Sequence, residues 1–200
     1  GQRHEVDAIV YGTGFAATDF LAPLHITGRN GQSLKQAWKT GAKAHLGMTV
    51  PGFPNLFMLY GPNTNLGHNS IVYMLESQIR YLAPPFETLR NTQAQAIDTH
   101  PQDYQGYVNR IQKALDRTVW NGCTSWYIDE NGYNSVSWPG FTLSYRFLTS
   151  QSRFGELQMT RNKHPEVPAQ VPVQVHAAHH AVDNVVAKGL SGLLSVAFKL

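Results

Sequence analysis

The spacing of apolar positions changes several times along this chain, and each change marks an element. Val6, Ile9, Val10 and Tyr11 form a short apolar run that predicts a β-strand over residues 6–11, closed by a glycine turn. A loop-rich region follows to Val50, with short apolar pieces around Leu21 and Ile26. Pro51, Gly52 and Pro54 mark a turn. Leu56, Phe57, Met58, Leu59 and Tyr60 then read as a second strand, buried on both faces. After a polar stretch, Ile71, Met74, Leu75, Ile79 and Leu82 recur at helical spacing and predict a helix over residues 70–82, stopped by Pro84 and Pro85.

A second helix is announced by Thr99 with Gln102 three positions on, a capping-box pattern, and by Pro101 in its first turn. Tyr104, Tyr107, Val108, Ile111, Leu115 and Val119 supply its apolar face. Residues 125–138, SWYIDENGYNSVSW, read as two short strands around an Asn131-Gly132 turn. Beyond Phe154 the pattern dissolves: residues 155–175 are rich in proline and read as an extended linker, and residues 176–200 as an amphipathic helical tail. The expected organisation is one α/β unit over residues 1–154, then linker and tail.

Composition narrows the class. Hydrophobic content of 42% with 14% charged residues is ordinary for a globular domain. A net charge of +3 and a pI near 9.0 come from scattered Lys and Arg, so no nucleic-acid arm is indicated. Cys123 is the one cysteine, which excludes an internal disulfide, and it reads as a small buried filler. No apolar run approaches the length of about 18 residues needed to span a membrane. These features point to a cytoplasmic setting with neither nucleic acid nor membrane as partner.

Three constellations carry candidate chemistry. Gly12, Gly14 and Ala17 have the G-x-G-x-x-A spacing of a dinucleotide fingerprint. Pro23 curtails any helix behind them, however, and no Asp or Glu lies between Asp19 and Glu76 to hold a ribose, so a first-strand Rossmann reading is rejected. That carboxylate-free span carries Arg29, Lys35, Lys39 and Lys43, which suits an anionic ligand such as a pyrophosphate, or a mixed polar surface. Finally, Gly61, Pro62, Asn63, Thr64, Gly67, His68, Asn69 and Ser70 place small polar residues just before a helix, whose N-terminus favours electron-rich acceptors. Asn69 or Ser70 would equally serve as a simple N-cap.

VDAIVYGTGF, TVPGFPNLFMLYGPNTNLGHNSI and GCTSWYIDENGYNSVSWPGFT stand in an order that resembles the carboxy-terminal part of class B flavin-dependent monooxygenases, the Baeyer-Villiger group. The resemblance runs over about residues 6–145. It implies part of a two-dinucleotide-binding-domain flavoprotein, with FAD and NADPH as cofactors and O2 and a small organic molecule as substrates. In such enzymes NADPH reduces the flavin, and one oxygen atom then enters a ketone or is placed on a heteroatom. Gly12, Thr13 and Gly14 match the family's Ala-Thr-Gly motif, with glycine in place of alanine. Tyr60, Gly61, Pro62, Asn63 and Thr64 match the segment passing the flavin, Asn69, Ser70 and Ile71 the helix start at its pyrimidine edge, and Trp126 a tryptophan of the mobile loop over NADPH.

The family's two glycine fingerprints, the signature between them and the arginine that supports oxygen activation are absent from these 200 residues. The catalytic residues are therefore unassigned here, and a polypeptide supplying the missing amino-terminal portion is an expected partner. The alternatives are a non-catalytic remnant or part of another flavin oxidoreductase, such as an N-hydroxylating monooxygenase. His176, His179 and His180 read as solvated tail residues rather than metal ligands.

Overall fold

The computed structural model describes residues 1–92, 94–122, 125–150 and 157–161. The chain divides into two units, Gly1–Lys163 and His164–Leu200, and every described residue belongs to the first. The tail histidines, Cys123, the amphipathic tail and the linker beyond residue 161 lie outside the described residues.

Among the described residues four α-helices carry the packing. Helix α1 is a single turn, Leu34–Ala37. Helix α2, Ile71–Asn91, is far longer than its sequence predicts, because it runs straight through Pro84 and Pro85. A proline inside a helix costs about 3 kcal/mol or more through lost hydrogen bonding and ring clash. Here Pro85 is itself buried and the flanking Tyr81 and Leu82 are 2% and 4% exposed, so packing outweighs the local cost. The hydroxyl of Thr88 also donates to the Pro84 carbonyl at 2.9 Å, steadying the turn after the prolines.

The buried face of α2 is rotated from the one its apolar residues suggest. Met74, Ser77, Gln78, Tyr81, Leu82 and Pro85 point inward, while Ile79 is 54% exposed. Helix α3, Pro101–Leu115, buries Tyr107, Val108, Ile111 and Leu115 as its pattern predicts, with Tyr104 half-buried, but it ends before Val119, which is 79% exposed in a separate turn. Its N-cap is His100, however, because the Thr99 hydroxyl is turned inward to donate to Thr49 at 2.6 Å. Helix α4, Thr142–Ser150, was not anticipated, although Tyr145 and Leu148 are its inward positions.

Neither predicted early strand forms among the described residues. Residues 6–11 have no ladder partner, and Val6, Ile9, Val10 and Tyr11 are all exposed. Residues 56–60 are irregular, with only Met58 buried; its amide donates to the Met48 carbonyl at 2.8 Å. A strand needs a neighbour to satisfy its amides; residues 56–60 are held instead through the Met48 carbonyl and the Gln78 side chain, and residues 6–11 lie exposed. The described sheet is β1, Ala94–Thr99, antiparallel to β2, Leu157–Arg161, with Ile97 opposite Met159 and Thr99 opposite Leu157. Residues 157–161, expected in the linker, thus complete a sheet. The Asn131-Gly132 turn exists, with Gly132 at φ +77°, but between an isolated Ile128–Asn134 bridge rather than two strands.

Two cores result. The larger joins α2, α3 and α4 around Leu46, Met48 and Trp138, and Tyr145 donates from its centre to the Leu46 carbonyl at 2.6 Å. The smaller packs Leu34, Ala44, Val50, Phe53 and Met58 beneath the loops.

Candidate functional site

The segment that leads into α2 is held from below by side chains rather than by a sheet. Tyr60 sits at φ +59°, and its amide donates to Oε1 of the fully buried Gln78 at 3.0 Å. At Gly61 a Cβ would lie 2.3 Å from the Gly47 carbonyl oxygen, so only glycine allows the two backbones to cross. Asn63, at φ +58°, donates through Nδ2 to the carbonyls of Asn134 at 2.8 Å and Ser137 at 3.1 Å. Thr64 closes back onto the Gly61 carbonyl at 2.7 Å.

Backbone bonds extend this lacing: the Asn63 amide donates to the Ser135 carbonyl, the Asn65 amide to Val136, and the Trp138 amide to Asn65. Two motifs distant in sequence, GPNTN and NSVSW, are thereby fixed to one another. Gly61, Pro62, Asn63 and Thr64 are all buried, so they shape the loop from inside. The sequence reading set them just before a helix as small polar residues; the structure buries them, with the Asn63 and Thr64 side chains satisfying backbone carbonyls of the loop and of residues 134–137.

The chain then surfaces. Gly67, His68, Asn69 and Ser70 are exposed, and Ser70 is the N-cap of α2. No side chain caps the helix and no acidic residue stands in its first turn; the Asn69 Oδ1 accepts from the Ser70 amide at 2.7 Å. The first helical amides, from Ile71 onward, therefore face outward with the positive end of the helix dipole behind them.

Beside this opening stands a row of aromatic rings. Phe15 lies 6.2 Å from Trp126, Trp126 stacks on Tyr127 at 5.2 Å, and Tyr127 meets Trp120 edge-on at 5.8 Å. Gly14, at φ +71°, faces the Trp126 ring, which a Cβ there would meet at 4.0 Å. Gly67 leaves room for Trp120. Burial raises the Tyr60 phenol above its usual value, with a further rise from Tyr127, so Tyr60 stays protonated and donates to Asn65 Oδ1 at 2.6 Å.

The structure thus brings Gly14, Tyr60, Asn69, Ser70, Ile71 and Trp126 to one region, while Gly12 and Thr13 stand in open solvent. Sequence reasoning missed Phe15, Trp120, Tyr127 and Gln78. The first three were legible as aromatics beside chosen glycines and tryptophan; Gln78 was legible as a polar residue between Met74 and Leu82 on an inward face. Of the carboxylate-free span, Arg29 pairs with Asp98 at 3.4 Å, and Lys35 and Lys39 line an open cleft of about 630 Å³ that Asp19, Asp129 and Glu130 also line. Among the described residues no helix is long and apolar enough to cross a membrane.

No family model matches the chain. It is similar to a Baeyer-Villiger monooxygenase of Pseudomonas aeruginosa, 44% identical over 154 residues that cover 76% of this chain and 29% of that protein. The FAD-binding monooxygenase ktnD of Aspergillus niger is 40% identical over 160 residues, covering 77% of this chain and 26% of that protein. Among solved structures, oxidized steroid monooxygenase bound to NADP superimposes with a TM-score of 0.62 at 25% identity, over 70% of this chain and 27% of that one. The chain spans under a third of the length of these relatives. Its sequence and fold place the chain in the Baeyer-Villiger monooxygenase family, as a match to part of those proteins.

Proposed function

We propose that this chain forms the flavin-facing loops of an FAD- and NADPH-dependent monooxygenase that transfers one atom of O2 to a ketone or a heteroatom of a small organic molecule, the other atom leaving as water. The observation that carries the reading is the convergence of three separated motifs at one opening: Gly14 on Trp126, Tyr60 beside Tyr127, and the uncapped start of α2. When bound, FAD supplies acceptance of hydride from NADPH and activation of O2.

The residues fit such a group. A ring edge that gains electron density needs donors and an absence of carboxylates, and the first turn of α2 offers both. A flat heterocycle needs a wall that excludes water, and the ring row from Phe15 to Trp120 provides one. Asn69, Ser70 and Ile71 would border the pyrimidine edge, with the Ile71 amide as donor and the Ser70 amide held by Asn69 Oδ1 at 2.7 Å. Tyr60, neutral and bonded to Asn65, would border it. Gly61, Pro62, Asn63 and Thr64 act beneath, by keeping the loop in shape. Trp126, 52% exposed, would close over the nicotinamide nucleotide, and Gly12 and Thr13, exposed just before Gly14, would border it.

The test exchanges this chain for the matching region of the Pseudomonas aeruginosa relative and measures bound flavin, oxygen uptake and product. The expected result is a yellow protein that consumes O2 only with NADPH and oxygenates a ketone or a thioether. A folded, monodisperse chimera without flavin would overturn the proposal.

A further inference from the structure

The glycine two positions before Asn69 does not serve backbone freedom. Gly67 has a backbone conformation open to any residue, yet a Cβ there would lie 2.7 Å from Cη2 and 3.3 Å from Cζ2 of Trp120, and its three nearest atoms all belong to that indole. Carbon atoms pack at about 3.5–4.0 Å, so glycine at this position makes room for the ring. Trp120 is itself held firmly. It lies in the turn Val119–Asn121 that follows α3 and packs against the larger core. The Thr118 hydroxyl donates to the Leu115 carbonyl at 2.7 Å, Asn121 Nδ2 to Asp116 Oδ1 at 3.2 Å, and Asn134 Nδ2 to Asn121 Oδ1 at 3.4 Å. Asn134 is fully buried, and its carbonyl is one that Asn63 grips.

The same indole meets Tyr127 edge-on, with ring centroids 5.8 Å apart, and Tyr127 stacks on Trp126 at 5.2 Å. One ring anchored from α3 thus touches both the loop that opens α2 and the ring that carries Trp126. Resting on the monooxygenase reading above, we propose that Trp120 is a positioning residue for both cofactors: through Gly67 it sets where the first amides of α2 stand, and through Tyr127 it sets the Trp126 ring, so that the flavin edge and the nicotinamide nucleotide share one support. Trp120 touches neither cofactor and acts only through these neighbours. A misplacement of about 1 Å between reacting groups can cost about a hundredfold in rate, which gives a common support its chemical use.

Variants at both contacts test it. In the 200-residue chain, Gly67→Ala should lower the urea midpoint when Trp120 is present and leave it level in a Trp120→Phe background, because a phenyl ring lacks the outer indole atoms that the new methyl would meet. Tyr127→Ala should likewise cost less in that background than in the parent chain. Losses that simply add in either cycle would overturn the proposal. In the flavin-bound chimera with the Pseudomonas aeruginosa relative, Trp120→Phe should slow flavin reduction by NADPH about tenfold, weaken NADPH retention and lower the flavin's reduction potential together. Adding Gly67→Ala, whose methyl refills the space, should return the potential part of the way. A residue that served the fold alone would move neither quantity, so an unchanged potential or an unchanged NADPH affinity in folded Trp120→Phe chimera would equally overturn the proposal. A folded chimera without flavin would sink the cofactor reading, while the two cycles in the chain alone would still decide whether Trp120 supports both segments.

Discussion

Replacing Asn63 by alanine separates a residue that holds the loop from one that touches a ligand. Its Nδ2 donates to two carbonyls, Asn134 at 2.8 Å and Ser137 at 3.1 Å, and the side chain is buried. Each such bond contributes about 0.5–1.5 kcal/mol net, and a buried acceptor left without a partner costs about 1–3 kcal/mol. The two acceptors do not suffer equally. Asn134 keeps a second donor, Gln112 Nε2 at 3.0 Å, whereas Ser137 loses its side-chain partner in a buried setting. The sum is a loss of about 2–4 kcal/mol of stability in the ligand-free chain. Urea unfolding followed by far-ultraviolet circular dichroism measures it as a lower midpoint at unchanged slope. Asn69→Ala is the comparison, since Asn69 is exposed and holds only the adjacent Ser70 amide, and it should change stability by less than about 0.5 kcal/mol. Equal midpoints for the two variants, or an Asn63 effect that appears only when FAD is added, would refute the reasoning.

Gly61→Ala places a Cβ 2.3 Å from the Gly47 carbonyl oxygen and should cost about 3 kcal/mol or more by the same unfolding measurement, with Gly132→Ala, in open space at φ +77°, losing only about 1 kcal/mol. Burial raises the phenol of Tyr104 to about 12 and those of Tyr107, Tyr133 and Tyr145 further; the unfolded chain releases these protons from about pH 10 and the folded one does not, so stability is full below that pH and falls above it, by about 1.4 kcal/mol per unit for each tyrosine. A thermal midpoint that holds level between pH 10 and 12 would contradict this. In the flavin-bound chimera, Asn69→Asp should lower the flavin's reduction potential while leaving the fold as stable or slightly more so, because a carboxylate suits a helix start but opposes charge developing on a reduced ring. Trp126→Ala should leave the potential in place and weaken retention of NADPH, read by titration; a shifted potential there would move Trp126 from the nucleotide to the flavin.

Helix α3 was legible because Tyr107, Val108, Ile111 and Leu115 recur at helical spacing on the face it buries, and the start of α2 was legible in the same way, whereas α1 and α4 are too short to show a clear period. What failed was inference from apolar runs without a partner. Residues 6–11 and 56–60 have the composition of strands, but composition does not state which edge they join, and among the described residues none is offered. Conversely, β1 was overlooked because Ala94, Gln95 and Ala96 carry little apolar bulk, and β2 because it falls after the pattern dissolves. The proline rule failed at Pro84 and Pro85 since it counts only local hydrogen bonds, whereas Pro85 is packed from outside the helix.

The same failure explains the site. Had residues 56–60 joined a sheet, its ladder would have satisfied the loop that follows. Instead Gln78, Asn63 and Thr64 supply the partners, and the loop from Tyr60 to Asn65 is tied to residues 134–138 through side chains as much as backbone. Buried polar side chains that each hold a named carbonyl or amide give a loop a single conformation without making it part of an element. That is what an exposed helix start needs if it is to present amides in a constant place. The ties fall on one side only: Asn63 and Gln78 face the core, while Asn69, Ser70 and the Trp126 ring face solvent. Burial and exposure are therefore divided between residues only a few positions apart, so one motif in the sequence resolves in the structure into a buried half that shapes the loop and an exposed half on which the proposed cofactor contact rests.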